Sequence, residues 1–163
     1  MHRPLDPARL GDHVDRLYRA AWALCGSRED AEDLVQDTYV RVLQRPRFLR
    51  NEDDLGYLLR VLRNTFLNRL RTAGRRVRAA PLPQDFEPAE QRDWSNPEAA
   101  LEAKQVYETI AALPEDYRDV LVAVDVAGLS YDEAAKALGV PQGTIMSRLY
   151  RARQQVARRL ERG

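Results

Sequence analysis

The chain has 163 residues, 44% of them hydrophobic, which is enough for one ordinary domain or two small packed cores. Its only cysteine, Cys25, excludes an intramolecular disulfide, and with two histidines in the whole chain there is no cysteine and histidine cluster to hold zinc. The formal charge of +1 conceals a segregation of sign: eleven arginines against three acids over residues 41–78, five acids against Arg92 over 85–98, and six arginines against Glu161 over 148–162.

Both basic blocks carry arginine alone, the better fork for phosphates and base edges, and an acidic stretch separates them. Two basic ends of a two-part protein point to nucleic acid. The N-terminal stretch MHRPLDPARLGDHVDRLYRAAWALCG carries charge throughout and lacks the apolar run of an export signal or a membrane span. The expectation is an unexported, cytoplasmic protein with no direct membrane insertion.

In chain order, apolar residues recur at helical spacing as Leu17, Ala21 and Leu24, then as Ala31, Leu34 and Thr38, and after Pro46 as Leu55, Leu58, Leu62 and Phe66. This predicts an all-helical N-terminal half. Residues 79–98 hold four prolines and little apolar periodicity, and so read as a linker. Asn96 and Pro97 make an N-cap and first-turn pair for a helix carrying Leu101, Val106, Ile110 and Leu113, with a break at Pro114. Next come a helix from Asp116 to Val126 stopped by Gly128, a helix from Tyr131 to Leu138 stopped by Gly139, and a last helix reaching about Leu160. Ser130 and Glu133 fit a capping box at the start of the middle one. No stretch alternates with period two, so no strand is predicted. The fold class is all-α, two small helical domains joined by a flexible acidic linker.

The last two helices, separated by the turn 139–142, fit a helix-turn-helix whose second helix enters a major groove. On a helical wheel Ile145, Leu149, Ala152, Val156 and Leu160 share one stripe that faces Ala134, Ala135 and Leu138. Opposite stand Ser147, Tyr150, Arg151, Gln154 and Arg158, with Thr144 at the N-terminal end, groups suited to phosphates and base edges. The helix over 55–71 turns Arg60, Arg63, Asn64 and Arg71 outward, with Tyr57 and Asn68 beside them. Arginines for phosphates, asparagines for bases and an aromatic for stacking suit a strand whose bases are unpaired. For both helices a merely solvated polar face is the plainer alternative. Over residues 28–42, Asp30, Glu32, Asp33, Gln36, Asp37 and Arg41 surround one apolar stripe, a mostly acidic face that repels DNA and attracts a basic protein partner.

The string AEDLVQDTYVRV, the helix from Leu58 to Arg71 with Asn64, LPEDYRDVL, and GLSYDEAAKALGVPQGTIMSRLYRAR together resemble the extracytoplasmic-function (group 4) sigma factors of the sigma-70 family. The resemblance covers nearly the whole chain in the right order. It implies sigma region 2 over residues 10–72, a flexible linker over 73–97 that threads the polymerase cleft, and sigma region 4 over 98–161. It further implies that Asp33, Leu34, Gln36, Asp37 and Arg41 dock on the beta-prime clamp helices of core RNA polymerase, whose beta flap is a second contact. Asn51, Tyr57, Arg60, Arg63, Asn64 and Asn68 would capture the melted −10 element, and Thr144, Met146, Ser147, Tyr150, Arg151 and Gln154 would read the −35 duplex. The implied partners are core polymerase, promoter DNA and an anti-sigma factor able to hold the protein at a membrane.

No catalytic residue, metal or cofactor is expected. Tyr57 stands where the family commonly has tryptophan, Leu62 where a small residue is usual, and Met146 and Val124 where many members carry a base that contacts the −35 DNA. The main alternative function is a stand-alone helix-turn-helix regulator that uses residues 115–161 alone. An enzyme would have no phosphate-cradling glycine loop or metal spacing to draw on. A helical adaptor would leave two basic surfaces without work.

Overall fold

The computed structural model describes residues 3–4, 11–44, 48–49, 54–73 and 97–162. The N-terminal unit consists of α1 (Val14–Cys25), α2 (Arg28–Gln44) and α3 (Asp54–Arg71), with a two-residue antiparallel pair of β1 (Arg3–Pro4) and β2 (Phe48–Leu49). That pair was not predicted, and two residues a side are too short to carry a period. The C-terminal unit consists of α4 (Pro97–Ala111), α5 (Glu115–Leu121), a π-helical turn (Val122–Val126), α6 (Tyr131–Leu138) and α7 (Gln142–Arg162). The all-α class holds, and no described helix is long and apolar enough to cross a membrane.

Glycine sets the first reversal. Gly26 closes α1 in the left-handed region at φ 71°, with its N–H donating to the Trp22 carbonyl at 2.8 Å. A Cβ at that position would be strained by the backbone angle and would also crowd Ala111 Cβ at 3.1 Å, so glycine suits it on both counts. α2 then folds back on α1, and α3 covers both. Leu17, Tyr18, Ala31, Leu34, Val35, Leu58 and Leu62 form the core where the three meet. Thr38 falls in the same buried stripe and satisfies its hydroxyl by donating to the Leu34 carbonyl at 2.7 Å.

In the C-terminal unit the predicted capping box is present: Ser130 Oγ accepts from Glu133 N–H at 3.1 Å, and Glu133 Oε1 accepts from Ser130 N–H at 2.9 Å. The predicted helix from Asp116 to Val126 is corrected. It is α-helical only through Leu121 and then widens, with Ala127 N–H donating to the Val122 carbonyl at 2.8 Å. The run VLVAVDVA is apolar apart from Asp125 and gives no periodic signal of the change. On α7, Ile145, Leu149 and Ala152 are buried as expected, but Leu160 is 40% exposed. On α6 the buried positions are Ala134 and Ala137, with Ala135 and Leu138 only partly covered, so the face is rotated slightly from the wheel.

The two units pack directly on one another, which the picture of two domains on a strap did not foresee. α1 lies against α4 and the π turn, and α3 lies against α6. Trp22 meets Tyr107 with ring centroids 4.9 Å apart, and the Arg118 guanidinium sits 4.9 Å from the centroid of Phe66. Of the predicted linker 73–97, residues 74–96 lie outside the described residues, as does the cap residue Asn96.

Candidate nucleic-acid interface

The last turn of α2 and one face of α3 enclose an open cleft of about 640 Å³, lined by Arg41, Gln44, Tyr57, Arg60, Asn64 and Thr65 among others. Tyr57, Arg60 and Asn64 stand three and four residues apart, the spacing that puts side chains on one face of a helix. Tyr57 is 5% exposed, so it is not the outward aromatic predicted from the wheel. Its ring instead supports Arg60, whose guanidinium lies 5.4 Å from the ring centroid. The cleft therefore offers cationic and amide donors over an aromatic floor, a chemistry suited to phosphate and to the edge of an unstacked base. Arg41 and Gln44 belong to it, and Gln44 carried no signal in the sequence because it lies beyond the AEDLVQDTYVRV string.

Asn64 and Asn68 are exposed along the same helix. Arg63 is not simply outward. Its Nε donates to Asp119 Oδ2 at 2.6 Å and its Nη2 to Glu115 Oε1 at 3.4 Å, both on α5 of the other unit. Asp119 also accepts from Arg118 Nε and Nη2 at 3.1 Å each, and both of those residues are buried. This charged cluster at the seam was missed because the partner of Asp119 lies on α3, far from LPEDYRDVL in sequence. Asn51 lies outside the described residues, and only residues 48–49 and 54–56 of the loop 47–56 are described.

On α2, Asp33 and Arg41 are exposed and Gln36 and Asp37 half-buried, so the acidic surface exists. Arg69 of α3 braces it, with Nη2 3.6 Å from Asp37 Oδ2 and donating to the Asp33 carbonyl at 3.1 Å. Leu34 is corrected: at 0% exposure it belongs to the core and offers a partner nothing. Cys25 is chemically quiet, since burial above all, helped by the nearby Asp30 carboxylate, pushes its thiol up to about 12.

Polar side-chain contacts tie α7 to the elements around it. Gln142 Nε2 donates to Asp132 Oδ1 at 3.1 Å across the turn, Arg148 reaches Asp116 at 3.7 Å, and Arg153 grips Asp125 in a two-pronged contact at 2.7 and 2.9 Å. The Asp125 carboxylate sits on the π turn, so the widened turn anchors the recognition helix. Facing away from this support, Met146, Ser147, Tyr150, Arg151 and Gln154 are exposed and Thr144 is half-buried, which places the predicted reading residues on one open face. Among the described residues no group of three or more His, Cys, Asp or Glu side chains is placed to hold a metal ion.

A small helical protein with a helix-turn-helix in one unit and a polar cleft in the other defines a two-part DNA-binding class. Profiles of known families match both parts: Sigma-70 region 2 over residues 10–76 and Sigma-70, region 4 over residues 103–156. The chain is 31% identical over 149 residues to the ECF RNA polymerase sigma-E factor of Haemophilus influenzae, covering 83% of this chain and 77% of that protein. It is 38% identical over 148 residues to the ECF RNA polymerase sigma factor SigE of Mycolicibacterium smegmatis, covering 88% of this chain but only 57% of that longer relative. Among solved structures, CnrH in complex with the cytosolic domain of CnrY superposes with a TM-score of 0.66 at 25% identity, covering 94% of this chain and 86% of that one. RpoE in complex with the anti-sigma factor NepR from Bartonella quintana gives 0.68 at 25% identity, covering 94% and 95%. The chain belongs to the extracytoplasmic-function group of the sigma-70 family of RNA polymerase sigma factors.

Proposed function

We propose that this chain binds core RNA polymerase, carries it to promoters bearing matched −35 and −10 elements, and stabilises the melted DNA, making and breaking no covalent bond itself. The observation that carries the reading is the presence in one chain of two separate polar recognition faces, the exposed face of α7 and the cleft formed by Tyr57, Arg60 and Asn64. A stand-alone regulator needs only the first. Residues 10–72 act as region 2, 73–97 as the linker and 98–161 as region 4.

In this assignment Asp33, Gln36, Asp37 and Arg41 meet the beta-prime clamp helices, and region 4 meets the beta flap. Arg60, Asn64 and Asn68 hold the unpaired −10 strand, Asn51 and Arg63 add to them, and Tyr57 acts from beneath Arg60. Thr144, Met146, Ser147, Tyr150, Arg151 and Gln154 read the −35 duplex. Contacts to two DNA elements and to polymerase together offset the few kcal/mol needed to unstack bases, each good base-edge contact contributing about 1–3 kcal/mol. The protein works in the cytoplasm, and an anti-sigma factor, as NepR is for RpoE, holds it inactive.

Copurification with core polymerase tests the docking half of this assignment. Reversing charge in Asp33→Lys with Asp37→Lys is expected to weaken assembly at least tenfold while leaving the helical content intact. Unchanged assembly would remove α2 from the interface.

A further inference from the structure

The DNA-facing side of α7 is unusual in what it leaves to water. Met146 is 53% exposed and Tyr150 65% exposed, four residues apart and thus on one face of the helix. A single exposed apolar side chain is ordinary, but these two form a strip in the first half of the helix, the half that meets base edges in a helix-turn-helix. Ser147 and Arg151 flank the strip and are exposed too. The charge that would otherwise dominate this half is turned away, because Arg148 is drawn to Asp116 at 3.7 Å. The Ser147 hydroxyl donates back to the Thr144 carbonyl at 3.2 Å, which leaves its oxygen to accept. The centre of this face is thus an apolar strip beside the Arg151 guanidinium and the Ser147 hydroxyl oxygen, with Thr144 and Gln154 further along the helix.

The major groove displays a single apolar group, the C5-methyl of thymine, amid donors and acceptors. We infer that Met146 and Tyr150 form a methyl reader, so that at least one thymine of the −35 element is selected by its C5-methyl group rather than by a hydrogen bond. The inference rests on the −35 role proposed above for α7. The thioether of Met146 is flexible and polarizable enough to close over a methyl, and the Tyr150 ring supplies a flat apolar wall beside it. The consequence is a promoter preference in which the methyl position contributes modestly and Arg151 supplies the stronger base or phosphate contact.

The test uses holoenzyme assembled from the full chain and core polymerase, allowed to select duplexes from a pool randomised across the −35 region. Each thymine of the selected duplex is then replaced singly by deoxyuridine, which removes only the methyl. One or two positions are expected to lose about fourfold in affinity, the equivalent of about 0.8 kcal/mol for one buried methyl-sized group. In Met146→Ala or Tyr150→Ala, whose side chains make no part of the core, the same replacement is expected to cost less than twofold. Indifference to deoxyuridine at every position, or an equal loss in wild type and both variants, overturns the methyl reader and leaves the sigma reading standing. A pool with no enriched sequence overturns the −35 role and the methyl reader together.

Discussion

Leu34 and Asp37 lie three residues apart on α2 and answer to different forces. Leu34→Ala empties a fully buried site and is expected to lower stability by about 2–5 kcal/mol in urea denaturation. Asp37→Ala breaks only partly exposed ion pairs to Arg41 and Arg69 at 3.5 and 3.6 Å, and is expected to cost about 1 kcal/mol or less while weakening polymerase docking. The period of α2 already marked Leu34 as apolar. A motif matched as one string hid the division between residues that hold the helix and residues it displays. Arg63 is the converse case, an arginine on the outward arc of α3 whose ligand comes from more than fifty residues downstream. Nothing within one helix reveals such a partner. At Cys25 burial holds the thiol of the folded chain at about 12, above its ordinary value of 9.0. Its contribution to stability is thus fully present below pH 9 and is lost as pH rises towards 12. Alkylation of the native thiol at pH 8 is expected to be much slower than in the urea-unfolded chain.

The helix termini were the most legible elements, since capping is local chemistry written in adjacent residues. Ser130→Ala removes one half of the capping box of α6 and is expected to cost about 1 kcal/mol, measured by thermal or urea unfolding. The π turn was illegible because the nearly unbroken apolar run around Asp125 looks the same in sequence whether the backbone bonds close at four residues or at five. Along α7 the buried stripe was legible as far as Ala152 and failed at Leu160, which is 40% exposed and lines an open pocket with Arg19 of α1 and Val106 and Tyr107 of α4. The exposed face carries the functional expectation for this element. Arg151→Ala is expected to weaken −35 binding by about 1–3 kcal/mol, whereas Arg162→Ala, near the end of the chain, changes little. If Arg151 meets a phosphate instead, its removal lowers the salt slope of binding by about 0.9.

Across the whole molecule, the two units share a seam built from Trp22 and Tyr107, from Gly26 beside Ala111, and from the cluster of Arg63, Arg118 and Asp119 over Phe66. Helical periodicity located the core inside each unit but carries no information on how one unit meets the other, and the sign pattern along the chain pointed outward to DNA. The seam makes a stability contrast. Asp119→Ala strands the buried Arg118 and leaves Arg63 only its longer contact with Glu115, and is expected to cost about 3–5 kcal/mol. Glu115→Gln removes a 3.4 Å contact from a half-exposed side chain and is expected to cost under about 1 kcal/mol. Arg63 reaches a promoter strand only after leaving Asp119, so its use in DNA capture requires that ion pair to break.

The central claim, that one chain supplies polymerase with both recognition faces, is tested most directly by transcription in vitro from a pool of promoter fragments, with purified core polymerase and wild type, Asn64→Ala or Arg151→Ala protein. The account predicts transcripts from particular promoters that require the protein and fall at least tenfold in each variant, through loss of −10 capture in the first and of −35 reading in the second. Tight DNA binding without polymerase, together with no transcript that depends on the protein, would contradict it.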